Sequence, residues 1–207
     1  MKPSPALPLI AAALLVSGCD RSAESPLVPM QPPPGSALEE LRPLWSVPDF
    51  NLIERTGKPV TLSDLKGKVW IADFFYTTCP GPCPMMNSRL SELQKLLAGE
   101  SDVRLVSIST DPVKDTPEIL QQYAQRFEAS DRWLFLTGDK AHIYQLANDG
   151  FKLSLMETPE AAEPITHSTK LVLIDRNGTV RGLYEGVGEE DTSRIVRDVR
   201  RLLKEQS

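Results

Sequence analysis

The chain has 207 residues, 41% of them hydrophobic and 25% charged, with a formal net charge of -5. That length suits one globular domain of about 150 residues plus an appendage. Mild acidity without a basic run excludes nucleic acid as a partner, because its recognition needs a clustered positive face. Three cysteines, two histidines and five methionines are the chain's thiol, imidazole and thioether groups.

The N-terminus reads as a targeting segment. Lys2 is the only charge before Asp20, and Ala6 to Val16 forms a short apolar stretch broken by Pro8. Such a stretch is too short for a bilayer, which takes about 20 residues to cross, so residues 1–18 are expected to be an export signal. It ends in Val16-Ser17-Gly18-Cys19, which resembles the bacterial lipobox. The resemblance implies that Cys19 is diacylated and becomes the mature N-terminus. The mature chain would then be extracytoplasmic and membrane-anchored, on the periplasmic face of the inner membrane in a Gram-negative cell. Asp20 resembles a retention signal for that membrane. Ten of the eighteen prolines fall within the first 48 residues, so residues 19–44 read as a proline-rich, extended tether. Residues 45–207 are left as the folded domain.

From Pro48 the pattern becomes periodic. Phe50 to Ile53 and Pro59 to Leu62 flank Glu54-Arg55-Thr56-Gly57-Lys58 and predict an N-terminal hairpin. Val69 to Tyr76 (VWIADFFY) is a nearly unbroken apolar run, as expected of a strand buried on both faces. Asp73 interrupts it and needs a partner if buried. Met86, Leu90, Leu93 and Leu97 then repeat at helical spacing and predict an amphipathic helix over 84–97, stopped at Gly99.

Val103 to Ser109 is the next strand. Thr116-Pro117-Glu118 has the form of an N-cap with proline at the first helical position, opening a helix to about Ala129. Trp133 to Leu136 is a strand, and Asp139 caps a helix to about Asn148. Leu171 to Ile174 and Thr179 to Tyr184 are strands joined by Asp175-Arg176-Asn177-Gly178, whose Asn-Gly signals a hairpin. A last helix over about 192–204 turns Ile195, Val199 and Leu202 inward. This order predicts an α/β sandwich with a mixed central sheet flanked by helices. It fits a thioredoxin-like fold with an insertion.

The segment T-T-C-P-G-P-C-P (77–84) sits between a buried strand and a helix. Residues before proline are pushed out of the α region, and Pro84 suits the first helical turn, which would make Cys83 the N-cap. The helix dipole and free backbone N–H groups there lower thiol pKa values, so both sulfurs are expected to ionise readily. If Cys19 carries lipid, Cys79 and Cys83 remain as a pair that oxidises easily outside the cytoplasm unless kept reduced. Three readings stay open on spacing alone: an exchangeable disulfide, a structural disulfide, and two thiolates for a metal. Thioredoxin-like exchangers place two residues between their cysteines, whereas three stand here, two of them prolines. The longer rigid loop could splay the sulfurs around one ion. Of the two histidines, His142 falls in the helix after Asp139 and is expected at the surface. His167 directly precedes the strand LVLID, a junction that faces the cysteine loop in a thioredoxin-type fold.

Four segments in order, DFFYTTCPGPCP (73–84), SISTDPVKDTPEIL (107–120), WLFLTGD (133–139) and HSTKLVLIDRNG (167–178), resemble the Sco/SenC family of copper-binding proteins. The resemblance covers about 45–205. It implies a thioredoxin-like fold in which Cys79, Cys83 and His167 bind copper, and a role in delivering copper to, or assembling, the dinuclear copper centre of cytochrome c oxidase. The implied partners are that oxidase's copper-bearing subunit and other periplasmic copper chaperones or thiol reductants. Two soft thiolates and an imidazole suit Cu(I) and Cu(II), with zinc as the competitor. Exchangers of the fold carry a cis-proline before the strand that matches LVLID, and His167-Ser168-Thr169 takes that place here.

The alternative is a membrane-anchored thiol–disulfide oxidoreductase that reduces the cysteines of the oxidase copper site through Cys79 and Cys83. A peroxidase or redox sensor is a third reading, without a peroxide-activating Thr/Arg set to support it. Asp111 and Asp115 lie at the presumed site edge; capping the next helix is the expected role of Asp111, and the resemblance implies as the alternative that it orients the site or meets the partner. Met86 belongs to the apolar stripe, and Met85 is expected to pack too. The basic face of the last helix (Arg194, Arg197, Arg200, Arg201, Lys204) is expected to be solvated.

Overall fold

The computed structural model describes residues 41–157, 165–188 and 190–205. The export signal, Cys19 and nearly all of the tether lie outside them. In chain order the elements are β1 (Trp45–Ser46), β2 (Asn51–Glu54), β3 (Pro59–Thr61), β4 (Val69–Phe75), α1 (Cys83–Leu96), β5 (Val103–Ser109) and α2 (Pro117–Arg126). They continue with β6 (Trp133–Thr137), α3 (Lys140–Gln145), β7 (Leu155–Glu157), β8 (Ile165–His167), β9 (Lys170–Ile174), β10 (Thr179–Glu185) and α4 (Thr192–Lys204). Among the described residues no helix is long and apolar enough to cross a membrane.

Eight strands form one sheet in the order β1-β10-β9-β4-β5-β6-β2-β3. β4, β5 and β6 are parallel neighbours, while β9 and β10 add antiparallel on the other side of β4. The set β10-β9-β4-β5 with its helices is the thioredoxin-like core, so the expected α/β fold is the one observed. The predicted hairpin β2–β3 closes the far edge through β2 and β6. Two features escaped the sequence reading: β1, which pairs with β10, and a separate two-stranded ribbon, β7–β8. Both are too short for periodicity to register.

All seven residues of β4 are buried, as its nearly unbroken apolar run predicts, Asp73 included. Alternation sends Trp70 and Phe74 to one face, where each meets Phe151 edge-on after α3. Phe75 points the other way and stacks on Tyr123 of α2 at 5.3 Å. Asn87 of α1 donates to the same Tyr123 hydroxyl, so α1 and α2 share that face. Cap chemistry sets the helix starts: Thr116 accepts from Ile119 N and Asp139 from His142 N. The helix predicted to run from Asp139 is α3 continued by a π turn over Leu146–Gly150. Gly178, with φ of 82°, makes the β9–β10 turn where a side chain would be strained. In α4, Ile195, Val199 and Leu202 are buried and Arg194, Arg197, Arg200 and Lys204 are exposed, as expected, whereas Arg201 is half-buried.

Asp73 does find a buried partner. Ser107 Oγ donates to its Oδ1 at 2.5 Å, and Trp133 Nε1 donates to the same hydroxyl. Oδ2 has no hydrogen-bond partner among the described residues. Complete burial therefore dominates over the Ser107 bond and pushes the carboxyl up to about 7. The folded protein holds a proton that the unfolded chain releases above about pH 4, so this group's contribution to stability declines as pH rises from about 4 to about 7. Asp73→Asn is expected to match the wild type near pH 4 and to exceed it by on the order of 2–4 kcal/mol at pH 8. Urea unfolding of the reduced, metal-free proteins across that range measures the difference; a gap that does not grow with pH would contradict the assignment.

Candidate metal centre

The carboxyl end of β4 and the amino end of β9 lie together because the two strands are antiparallel. Trp70 pairs with Ile174 and Ala72 with Val172. The same register, carried past the ladder, sets position 167 level with position 77, two residues before Cys79. His167 ends β8 opposite Leu155 of β7, so the two-stranded ribbon fixes its backbone.

The cysteine loop is held at both ends. Asp115 is fully buried and accepts from Thr77 N at 3.1 Å, Thr77 Oγ1 at 2.5 Å and Ser109 Oγ at 2.6 Å. Cys79 N donates to the Tyr76 carbonyl, which turns the chain sharply after the strand. At the far end Pro82, not Cys83, occupies the N-cap, with φ of -74° and ψ of -25°. Cys83 is the first helical residue and Pro84 the second, both places where a missing or unpaired N–H costs nothing. The prolines on each side of Cys83 therefore shift the helix start by one residue from the expected place.

Cys79 and Cys83 are free thiols, 8% and 0% exposed. His167 Nε2 lies 3.0 Å from Cys83 Sγ, and its Nδ1 lies 3.0 Å from the Ser168 carbonyl. A carbonyl can only accept, so Nδ1 carries the proton and Nε2 is the nitrogen turned to the sulfurs. The Tyr76 ring meets the imidazole edge-on at 5.8 Å. The two sulfurs and a ring nitrogen all lie within 4.8 Å of one another.

The two thiols do not ionise alike, which corrects the expectation that both pKa values fall. Cys83 S–H donates to Cys79, and His167 donates as well once it is protonated at both nitrogens, so the Cys79 thiol drops to about 4 despite partial burial. Cys83 is driven up because it surrenders its proton only by losing that bond, inside the core and beside a thiolate. The metal-free pair thus holds one proton. His167 is opposed by burial, yet its bond to Cys79, the Ser168 carbonyl and the nearby charges of Cys79 and Asp73 prevail and raise its pKa.

Ligand–metal distances near 2.0–2.3 Å allow donors up to about 4.6 Å apart to share one ion, so a small inward shift would seat it. The donor set is soft and fits copper or zinc. No further His, Cys, Asp or Glu among the described residues joins the cluster, which leaves it short of the four ligands usual in structural zinc sites.

Other expected residues fall elsewhere. His142 is half-buried on α3 and belongs to no donor cluster among the described residues. Met86 is in the core, but Met85 is 53% exposed rather than packed, because position 85 faces away from the sheet. Asp111 pairs with Lys114 and caps no helix; Thr116 is the cap of α2. Asp115, expected at the site edge, anchors the cysteine loop there. Thr77 and Ser109 share that work and carried no signal of their own, since hydroxyl residues beside a cysteine loop are common in any sequence.

Fold and cluster together define a thioredoxin-like domain with a dithiol–imidazole centre at the carboxyl end of its first core strand. The SCO1/SenC family profile matches residues 41–204, and the chain belongs to that family. Solved structures agree. A SCO1/SenC family lipoprotein from Bacillus anthracis str. Ames is 37% identical with a TM-score of 0.74, covering 79% of this chain and 98% of its own. BsSco, a member of the Sco family of cytochrome c oxidase assembly proteins with a disulfide switch, is 36% identical with a TM-score of 0.71, covering 80% and 98%. Bradyrhizobium japonicum ScoI, solved with copper bound, is 26% identical with a TM-score of 0.64, covering 76% and 99%.

Alkylation of the reduced, metal-free domain tests the shared proton. Cys79 should react at a nearly constant rate from pH 8 to pH 6, where an ordinary thiol slows about tenfold per unit, and Cys83 should stay protected. Cys83→Ala removes the donated S–H and should move the Cys79 midpoint upward. Equal labelling of both cysteines, or an unmoved midpoint, would show that they do not share a proton.

Proposed function

We propose that this protein is a copper metallochaperone that delivers copper to, or helps assemble, the dinuclear copper centre of cytochrome c oxidase. The observation that carries the reading is the 3.0 Å approach of His167 Nε2 to Cys83 Sγ, with Cys79 beside them. Cys79, Cys83 and His167 would hold copper as Cu(I) or Cu(II). Family membership, the copper bound in ScoI and the oxidase-assembly role of BsSco support copper as cargo. A site with three protein donors suits a carrier, because a receiving protein's ligand can enter before the first set lets go. The acceptor would be the copper-bearing subunit of the oxidase, with other copper chaperones or thiol reductants as donors.

On this reading residues 1–18 are a lipoprotein signal, Cys19 carries lipid, and 19–44 tether the domain 45–207 to the outer face of the membrane. The B. anthracis relative is a lipoprotein, and the Val16-Ser17-Gly18-Cys19 run is the matching feature here. The tether would let the domain reach a membrane-embedded acceptor.

A second reading has its own observation. A Cys79 thiol lowered to about 4 beside a buried protonated partner is a thiolate ready to attack a disulfide. The protein would then reduce the cysteines of the oxidase copper site. The two roles share one constraint: copper needs both sulfurs reduced, and a Cys79–Cys83 disulfide excludes it.

Copper titration of the reduced domain should saturate at one equivalent, and His167→Ala should weaken binding by at least about tenfold, or about 1.4 kcal/mol. In cells lacking the wild-type gene, His167→Ala should fail to restore the oxidase copper centre while its disulfide reduction in vitro is unchanged. Full restoration by that variant would favour the reductase.

A further inference from the structure

His167 and Cys83 come from different elements, and Gly186 stands where those elements meet. It follows β10 and is buried. Its N–H donates to the Thr169 carbonyl at 2.8 Å, two residues after His167. A Cβ built at this position would lie 2.6 Å from that carbonyl oxygen, and 3.1 and 3.2 Å from Met86 Cγ and Cε. Met86 is three residues after Cys83 on α1. The glycine thus separates the His167 segment from the Cys83 helix by no more than the thickness of a backbone. Its φ lies outside the left-handed region, so turn geometry does not demand glycine here; close approach does.

The turn that carries it is strapped to the same helix. Arg89 of α1 donates to the Gly188 carbonyl and, at 2.5 Å, to Thr192 Oγ1 at the start of α4. Lys170 and Thr169 reach back to Glu185, beside the glycine. Arg89 thus ties the turn that carries Gly186 to α1.

We propose that Gly186 is a positioning residue for the metal centre: the missing side chain, under the Arg89 strap, sets the distance between the His167 imidazole and the Cys83 sulfur. Any side chain at 186 must open the 2.6 Å approach to the Thr169 carbonyl, which is backbone, and crowds Met86 as well. Backbone displacement there moves the imidazole away from the sulfurs. The inference rests on the copper-binding reading above.

The test is a double-mutant cycle read as copper affinity of the reduced protein. Gly186→Ala should weaken copper by about tenfold or more, the scale seen when groups that orient ligands are disturbed. In a His167→Ala background the same substitution should change affinity less than about twofold, since only sites that act through each other fail to add. Gly182→Ala is the steric control. Its Cβ would meet the Tyr184 hydroxyl at 2.7 Å, so it should lower thermal stability and leave copper affinity alone. In the metal-free state, imidazole NMR shifts of His167 should change in Gly186→Ala and stay put in Gly182→Ala. Should Gly186→Ala fail to fold, Arg89→Gln releases the strap without adding volume and should show the same dependence on His167. An unchanged affinity, an equal loss in both backgrounds, or an equal loss from Gly182→Ala overturns the proposal. If His167→Ala by itself leaves copper affinity intact, the copper-site reading fails first.

Discussion

Everything chemical in this protein depends on one antiparallel contact. β9 runs against β4, so the residue that precedes one strand arrives level with the loop that follows the other. Without that register His167 would be an ordinary loop histidine, and Cys79 and Cys83 a dithiol with nothing facing it. The ring is fixed from three directions: by the Ser168 carbonyl at Nδ1, by the Tyr76 edge, and by the β7–β8 ribbon. Fixing the tautomer matters as much as fixing the position. A ring with its proton on Nε2 would turn a donor toward the sulfurs and offer no lone pair to a metal.

The cluster is built under electrostatic tension. Two sulfurs in a buried setting cannot both be anionic without a cation between them, and so in the metal-free protein one proton stays between Cys79 and Cys83. Asp73, buried in the same layer, adds a group that burial keeps close to neutral pH. A cation of the right softness relieves this arrangement by taking the proton's place. Oxidation relieves it differently, by removing two electrons and forming a bond between the sulfurs. On the proposed reading, metal loading and disulfide formation would be alternative fates of the same pair; the relative BsSco has a disulfide switch.

Rigidity around the cluster comes from short polar links rather than from the core alone. Asp115 gathers Thr77 and Ser109, so the loop after β5 holds the loop after β4. Arg89 holds the turn after β10 against α1. Prolines at 80, 82 and 84 restrict what remains of the cysteine loop. Of these devices the prolines were legible in the sequence, as were the Thr116 and Asp139 caps and the Asn-Gly turn, because each acts on its own few residues. Asp115 and Arg89 were not, because their partners stand 38 and up to 103 positions away.

Residue order by itself determined the elements. A nearly unbroken apolar run made β4, 3.6-residue periodicity made α1 and α4, and two cysteines with three residues between them supplied the first candidate donors. Those are local properties, written within windows of a dozen residues. Only the tertiary structure decided that Cys83 starts the helix inside its first turn, that Cys79 and Cys83 divide a single proton unequally, and that Met85 is left in solvent. It also decided that a glycine at 186 lies against the Thr169 carbonyl and Met86. Each of these depends on burial and on distances between segments far apart in the chain, which no local pattern encodes.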